Sequence, residues 1–315
     1  NINKSQKKLN VIDPKFEFLN FISGFILVNG IYNLSLVRSF RYILKIPQLR
    51  IEKNKIDLII VSNPLCLKND NKKYSPIVQI IHDTIPIQDP NHSKPLAFFN
   101  TLVDAHENKC VYVSSATKNI VKSLIKNKCN EKDRDIIRPL PSIPLEMLNN
   151  SLKIKSILEI NNPYVLLNSS IVSWKKIEKS IQFFSKSNLK DRGFNFYIVG
   201  KIHNTKYSNY IKKLCLENNS IFLLDYVTEF EKIWLYLNSS LLLSTSSTEG
   251  FGIPFLDACS LNIPVIANNI TSYKEIKNLF KKNNISLLEL NQEAQWINKL
   301  NKVDRFNKLC FLIFT

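Results

Sequence analysis

Five short apolar runs recur between residues 163 and 267: Pro163–Asn168, Phe194–Val199, Ser220–Leu224, Leu241–Leu243 and Val265–Ala267, each separated from the next by a stretch with helical character. This alternation predicts a parallel sheet with helices on both faces, because two parallel strands can be joined only by a crossover that packs back on the sheet. Strands buried on both faces read as continuous apolar runs, as these do. The amino-terminal half carries the same pattern more sparsely. Strands are expected at Ile56–Ser62, Ile77–Ile81 and Val111–Ser114, and helices at Leu96–Lys109 and Ser115–Lys126, with Ser115 as N-cap. Between Phe16 and Ile46 a strand or short helix, a turn at Asn29-Gly30 and a helix over Tyr32–Lys45 are expected. The richest proline segment, Pro139–Pro144, makes residues 139 to about 160 the best linker. A chain of 315 residues is long enough for two α/β domains of ordinary size, so the expected halves are 1–145 and 146–315.

The most informative turn in this pattern follows the run Leu241–Leu243. Thr248-Glu249-Gly250-Phe251-Gly252-Ile253-Pro254 reads as a tight loop opening a helix. Glycines on both sides of Phe251 let backbone approach a ligand where a Cβ would intrude, and Pro254 suits a first helical turn. Free amides and a positive dipole end therefore lie beside a carboxylate. That combination suits a ligand carrying both phosphate and hydroxyl groups, such as a sugar nucleotide.

The string Glu249-Gly250-Phe251-Gly252-Ile253-Pro254, then Asp257-Ala258, then Pro264-Val265-Ile266-Ala267, resembles the signature of the glycogen-synthase-like group 1 family of retaining glycosyltransferases. The resemblance implies the GT-B fold, two Rossmann-like domains facing across a cleft. The family's two acidic residues correspond to Glu249 and Asp257, the first on sugar hydroxyls and the second on the nucleotide ribose. The second is normally Glu, so this chain departs by one methylene. His82-Asp83-Thr84-Ile85-Pro86 extends the resemblance, and His82 would face the donor sugar. In the turn Ser169–Lys176, Lys175 takes the position of the family's phosphate-binding lysine, while Ser170 stands where an arginine is usual. The resemblance further implies Gly200 close to the nucleotide, Tyr226 and Val227 bordering the base, and the amides around Gly250, Phe251, Gly252 and Ile253 stabilising the departing diphosphate. No cofactor is expected, because the donor, a nucleoside-diphosphate sugar, is itself a substrate. No metal is expected either, and Asp133-Arg134-Asp135 reads as a solvated loop.

The implied reaction is transfer of a hexose to a glycan or lipid-linked acceptor with retention of configuration. A formal net charge of +17 is compatible with peripheral contact with an anionic membrane. No helix-turn-helix, zinc-finger or aromatic RNA-binding pattern accompanies it, so no specific nucleic acid is expected. Six scattered cysteines read as reduced core residues, and the absence of a secretory signal or of a long uninterrupted apolar stretch leads to the expectation of a cytoplasmic protein. The chain does not open on Met and closes on the apolar run Leu309–Thr315, which reads as a fragment at both ends. Three alternatives stay open: a degenerate or truncated member that binds without turnover, a sugar-nucleotide epimerase or hydrolase, and a basic module for anionic polymers.

Overall fold

The computed structural model describes residues 59–61, 77–89, 95–106, 108–125, 136–143, 160–280 and 284–304. In the first half, β1 (Ile59–Val61) and β2 (Ile77–Ile81) lead to a short helix α1 (Ile85–Gln88) and to α2 (Pro95–Ala105). Then β3 (Lys109–Tyr112) and α3 (Ser115–Leu124) complete it. The three strands form a parallel sheet in the order β1-β2-β3. Its core gathers Ile81, Leu102, Cys110, Tyr112 and Val121.

The second half runs β4 (Tyr164–Asn168), a 3-10 turn at Ser173–Lys175, α4 (Ile177–Lys186), β5 (Asn195–Val199), α5 (Lys206–Leu216) and β6 (Ile221–Leu224). It continues with α6 (Glu229–Asn238), β7 (Leu241–Ser244), α7 (Ile253–Ser260), β8 (Val265–Asn268), α8 (Thr271–Phe280), β9 (Ile285–Leu288) and α9 (Glu293–Asn301). All six strands are parallel, in the order β6-β5-β4-β7-β8-β9. Alternate residues of each central strand feed opposite cores. Leu166, Tyr197 and Leu242 pack under α6, α7 and α8, whereas Val165, Phe196 and Leu243 pack under α4, α5 and α9. Both faces of the strands are therefore dry, which is why they read as unbroken apolar runs.

Three expectations are corrected. The N-cap of α3 is Ser114, whose hydroxyl accepts from the Thr117 amide at 2.9 Å; Ser115 is the first helical residue. Helix α2 stops at Ala105, because Lys109–Tyr112 is claimed by pairing with β2. Beyond β8 the sheet gains one more strand, β9, and a helix anchored by Trp296, which is fully buried and stacked on Phe183 at 4.9 Å. Burial of such a ring contributes roughly 2–3 kcal/mol, enough to hold a nine-residue amphipathic helix on the sheet. The elements expected between Phe16 and Ile46, the Asp133-Arg134-Asp135 run and the boundary at residue 145 lie outside the described residues. The described cysteines Cys110, Cys215 and Cys259 are buried, and burial pushes the Cys215 thiol up to about 11. Among the described residues no helix is long and apolar enough to cross a membrane.

Candidate active site

In the second sheet the chain leaves β4 in one direction and β7 in the other, so the loops after these two neighbouring strands diverge. In open parallel sheets this switch point is where a crevice forms beyond the carboxyl ends of the strands. Both loops carry expected site residues. After β4 the 3-10 turn ends at Lys175, and Lys176 takes the left-handed conformation (φ 51°) that redirects the chain into α4. The loop after β7 is tied to this turn. The Ser247 amide and hydroxyl donate to the Trp174 carbonyl at 2.8 and 3.0 Å, and the Thr245 hydroxyl donates to the Lys176 carbonyl at 2.8 Å.

This lacing brings Lys175 Nζ to 2.5 Å from Glu249 Oε1, with both side chains largely shielded from water. Tyr273 Oη, on α8, lies 3.1 Å from the same Glu249 oxygen and 2.7 Å from Ser244 Oγ. Its ring stacks on Phe255 at 4.4 Å. Burial and the neighbouring Glu249 carboxylate together hold the Tyr273 phenol well above its ordinary value, so it stays a hydrogen-bond donor. A small cavity at this point is lined by Asn168, Ser169, Lys175, Ser246, Glu249 and Tyr273, among others.

The two glycines have a different immediate reason from the one read in the sequence. Gly252 adopts φ 106°, and a side chain there would collide with the Tyr273 ring. A side chain at 250 would run into the His82 carbonyl oxygen and the Asp83 Cβ. Close approach is thus required first by the protein itself: the end of β2 sits directly on the glycine loop. The Gly250 carbonyl also accepts from the Ser114 hydroxyl (2.6 Å) and the Thr117 hydroxyl (3.0 Å) at the start of α3. Glu275 of α8 caps the same helix, accepting from the Ser115 amide at 2.8 Å and from Arg138 Nε at 2.9 Å. Thr248 donates to Gln88, and Ser173 donates to Asp89 at 3.1 Å.

The remaining expected residues are dispersed. The backbone of His82 touches the loop, while its side chain is exposed. Ser170 is exposed in the β4 turn, and Gly200 closes β5 with its Cα against the Ser169 carbonyl. At the end of β6, two strands from β4, Tyr226 is 86% exposed, while Val227 packs against the core under α6, α7 and α8. Phe251 is buried at 4%, and Ile253, at the first turn of α7, is 41% exposed. Asp257 is 1% exposed, and its two carboxylate oxygens accept from the Ser142 amide (2.6 Å) and hydroxyl (2.5 Å).

Sequence reading missed Tyr273, Ser142 and Glu275, which lie in stretches with no motif. It also passed over Asp83, beside His82. Asp83 Oδ1 accepts from the Ile85 amide at 3.0 Å, and burial raises its carboxyl above 3.8, helped by nearby Glu249. A carboxyl whose folded pKa is raised contributes stability fully below its unfolded value and loses it as pH rises through the folded value. Asp83→Asn is therefore expected to flatten the fall in urea midpoint as pH rises above the ordinary aspartate value; an unchanged slope would show that burial of Asp83 is not its cause.

A family model, Glycosyl transferases group 1, matches residues 150–307, half of the 315-residue chain. The chain belongs to the group 1 glycosyl transferases. Among proteins similar to this group 1 chain is the serotype-specific mannosyltransferase WbdA of Escherichia coli, 21% identical over an alignment of 220 positions that covers 62% of this chain. The chain spans only about a quarter of that protein, 26% of its length. Similar solved structures include WaaG, a glycosyltransferase involved in lipopolysaccharide biosynthesis, with TM-score 0.57, 16% identity and coverage of 79% of this chain and 69% of that one. Another is HepE of Anabaena in complex with UDP and glucose, with TM-score 0.55, 16% identity and coverage of 72% and 61%. At these identities the likeness speaks for the fold, which is GT-B, and the parallel six-stranded sheet is its Rossmann-like second domain.

Proposed function

We propose that this group 1 chain is a retaining glycosyltransferase that moves a hexose from a nucleoside-diphosphate sugar to a glycan or lipid-linked acceptor. The observation that carries this reading is the Lys175–Glu249 pair, 2.5 Å apart at the switch point of the second sheet. A cation and a carboxylate held at one small volume match a ligand that is anionic at one end and hydroxylated at the other. On binding, the diphosphate takes Lys175 and the sugar hydroxyls take Glu249, so each group exchanges its partner for one on the donor. Helix α7 starts at Gly252 without a side-chain cap, which leaves first-turn amides for the phosphates. Stabilising the leaving diphosphate in this way lowers the barrier by electrostatic preorganisation, and Glu249 presents the anomeric carbon. On this reading His82 meets the sugar from the first domain, Ser170 offers a hydroxyl to the phosphates, Gly200 lies along the nucleotide, and Tyr226 and Val227 border the base. No divalent ion is called for.

The reported similarities support the substrate class: WbdA is named a mannosyltransferase, WaaG is described as acting in lipopolysaccharide biosynthesis, and HepE was solved with UDP and glucose. The charge of +17 supports action at the cytoplasmic face of an anionic membrane that carries the acceptor. A second reading, binding without turnover, is favoured by one observation, the exposed Ser170 where a second cation is usual. Thermal unfolding with UDP, GDP and ADP and their sugars separates the cases. At millimolar ligand, about a hundredfold above a typical dissociation constant, one nucleotide series should stabilise the chain by about 2–3 kcal/mol, a shift of several degrees. No shift with any of them defeats the donor reading, whereas a shift without product formation supports the binder.

A further inference from the structure

We propose that Asp257 is a strap residue that fixes the segment joining the two sheets, and that it does not grip the nucleotide ribose; the proposal refines the donor site assigned above and rests on that assignment. The carboxylate is 1% exposed, and both its oxygens are engaged by one residue, Ser142, through the backbone amide at 2.6 Å and the hydroxyl at 2.5 Å. A ligand hydroxyl reaches Asp257 only after the Ser142 segment has left. At these distances a glutamate, one methylene longer, does not fit between α7 and Ser142 without displacing one of them. The shorter side chain matches a task on the protein's own backbone.

The segment held in this way is attached at both ends. Ile136 bridges to Tyr112 at the end of β3, and the Ile137 amide donates to the Tyr112 carbonyl at 2.8 Å, which binds the segment to the first sheet. Arg138 then pairs with Glu275, Ser142 with Asp257, and Ile143 enters the same core as Phe255 and Leu256 of α7. Residues 136–143 thus run from the edge of the first sheet to the helix that opens at the glycine loop. Anchored at both ends, this strap sets how the start of α3 meets the Gly250 carbonyl, and so where the loop carrying Glu249 stands. Asp257 acts on the site through this segment, as a positioning residue.

The test compares Asp257→Asn, Ser142→Ala and their double variant, with Ser142→Thr as the conservative control. The readouts are urea unfolding and binding of UDP and GDP beside their 2′-deoxy forms. If Asp257 serves the strap, Asp257→Asn and Ser142→Ala weaken ribo and deoxy nucleotides alike, within about threefold of each other, and Ser142→Thr stays near wild type. In unfolding, the second substitution added to the first has less than about half its separate effect, since both weaken the same pair of hydrogen bonds. Loss of about tenfold preference for the ribo form in Asp257→Asn, retained in Ser142→Ala, overturns the proposal. So does full additivity in urea. If neither UDP nor GDP binds the wild-type chain, the donor assignment falls, and the urea cycle alone decides the strap. Should Asp257→Asn fail to fold, the contrast between Ser142→Ala and Ser142→Thr still decides it, since equal binding and stability in these two would overturn the strap.

Discussion

Lys175→Met should lower glycosyl transfer by about 10²–10³-fold, the cost of losing one preorganised charge at a developing anion. It should also lower stability by roughly 3 kcal/mol, because Glu249 is then left shielded from water without its cation. Glu249→Gln should cost less in stability, since the amide still accepts from Lys175 and Tyr273. The informative variant is the double, Lys175→Met with Glu249→Gln. Its two neutral side chains need no mutual compensation, so the urea midpoint should return most of the way to wild type, while transfer stays at the level of the worse single variant. Recovery of activity along with stability would mean that the pair is structural only. The 2.5 Å contact with Lys175 ties Glu249 to folding as well as to the reaction.

Gly250→Ala is the second large effect. The new methyl would strike the His82 carbonyl and the Asp83 Cβ, both backbone-anchored at the end of β2, so neither can swing aside. Either the loop or the first sheet must move. Displacing reacting groups by about 1 Å costs on the order of a hundredfold in rate, and that is the loss expected in kcat. The second sheet keeps its own core of Leu166, Leu242, Phe255 and Tyr273, so the circular dichroism spectrum should stay close to wild type. A variant that transfers at wild-type rate would mean that the first sheet does not lean on the loop during turnover. The contrast with Lys175→Met is useful, since one removes charge and leaves geometry alone, and the other does the reverse.

The parts of this molecule that were legible in the sequence are those fixed by local chemistry. Strands β2, β4, β5, β6, β7 and β8 were readable within a residue or so, because buried parallel strands are continuous apolar runs. Loop and helix after β7 were readable because Gly252 and Pro254 punctuate them. Lys175 and Glu249, which the structure places side by side, were each singled out by a local string resembling the family's. Contacts between distant segments were not readable. Nothing around Ser142 announces that it lies against Asp257, 115 residues away, and a carboxylate on a helix gives the same signal whether it meets a ribose or a backbone amide. Likewise nothing local singles out Tyr273, and only the packing of α8 on α7 brings its hydroxyl to Glu249. The N-cap shift from Ser115 to Ser114 has a similar cause: adjacent serines are equivalent as local signals, and tertiary bonding chooses between them.

The first sheet meets the glycine loop through very generic groups: the carbonyl of His82, and the hydroxyls of Ser114 and Thr117 on the carbonyl of Gly250. Such a joint asks little of neighbouring side chains beyond the Gln88 amide that meets Thr248. A chain that keeps glycine at 250 and two short hydroxyls opposite retains this joint while other described side chains of the first sheet change. Substitutions elsewhere in the first sheet should then leave Lys175, Glu249 and Tyr273 in the same mutual geometry.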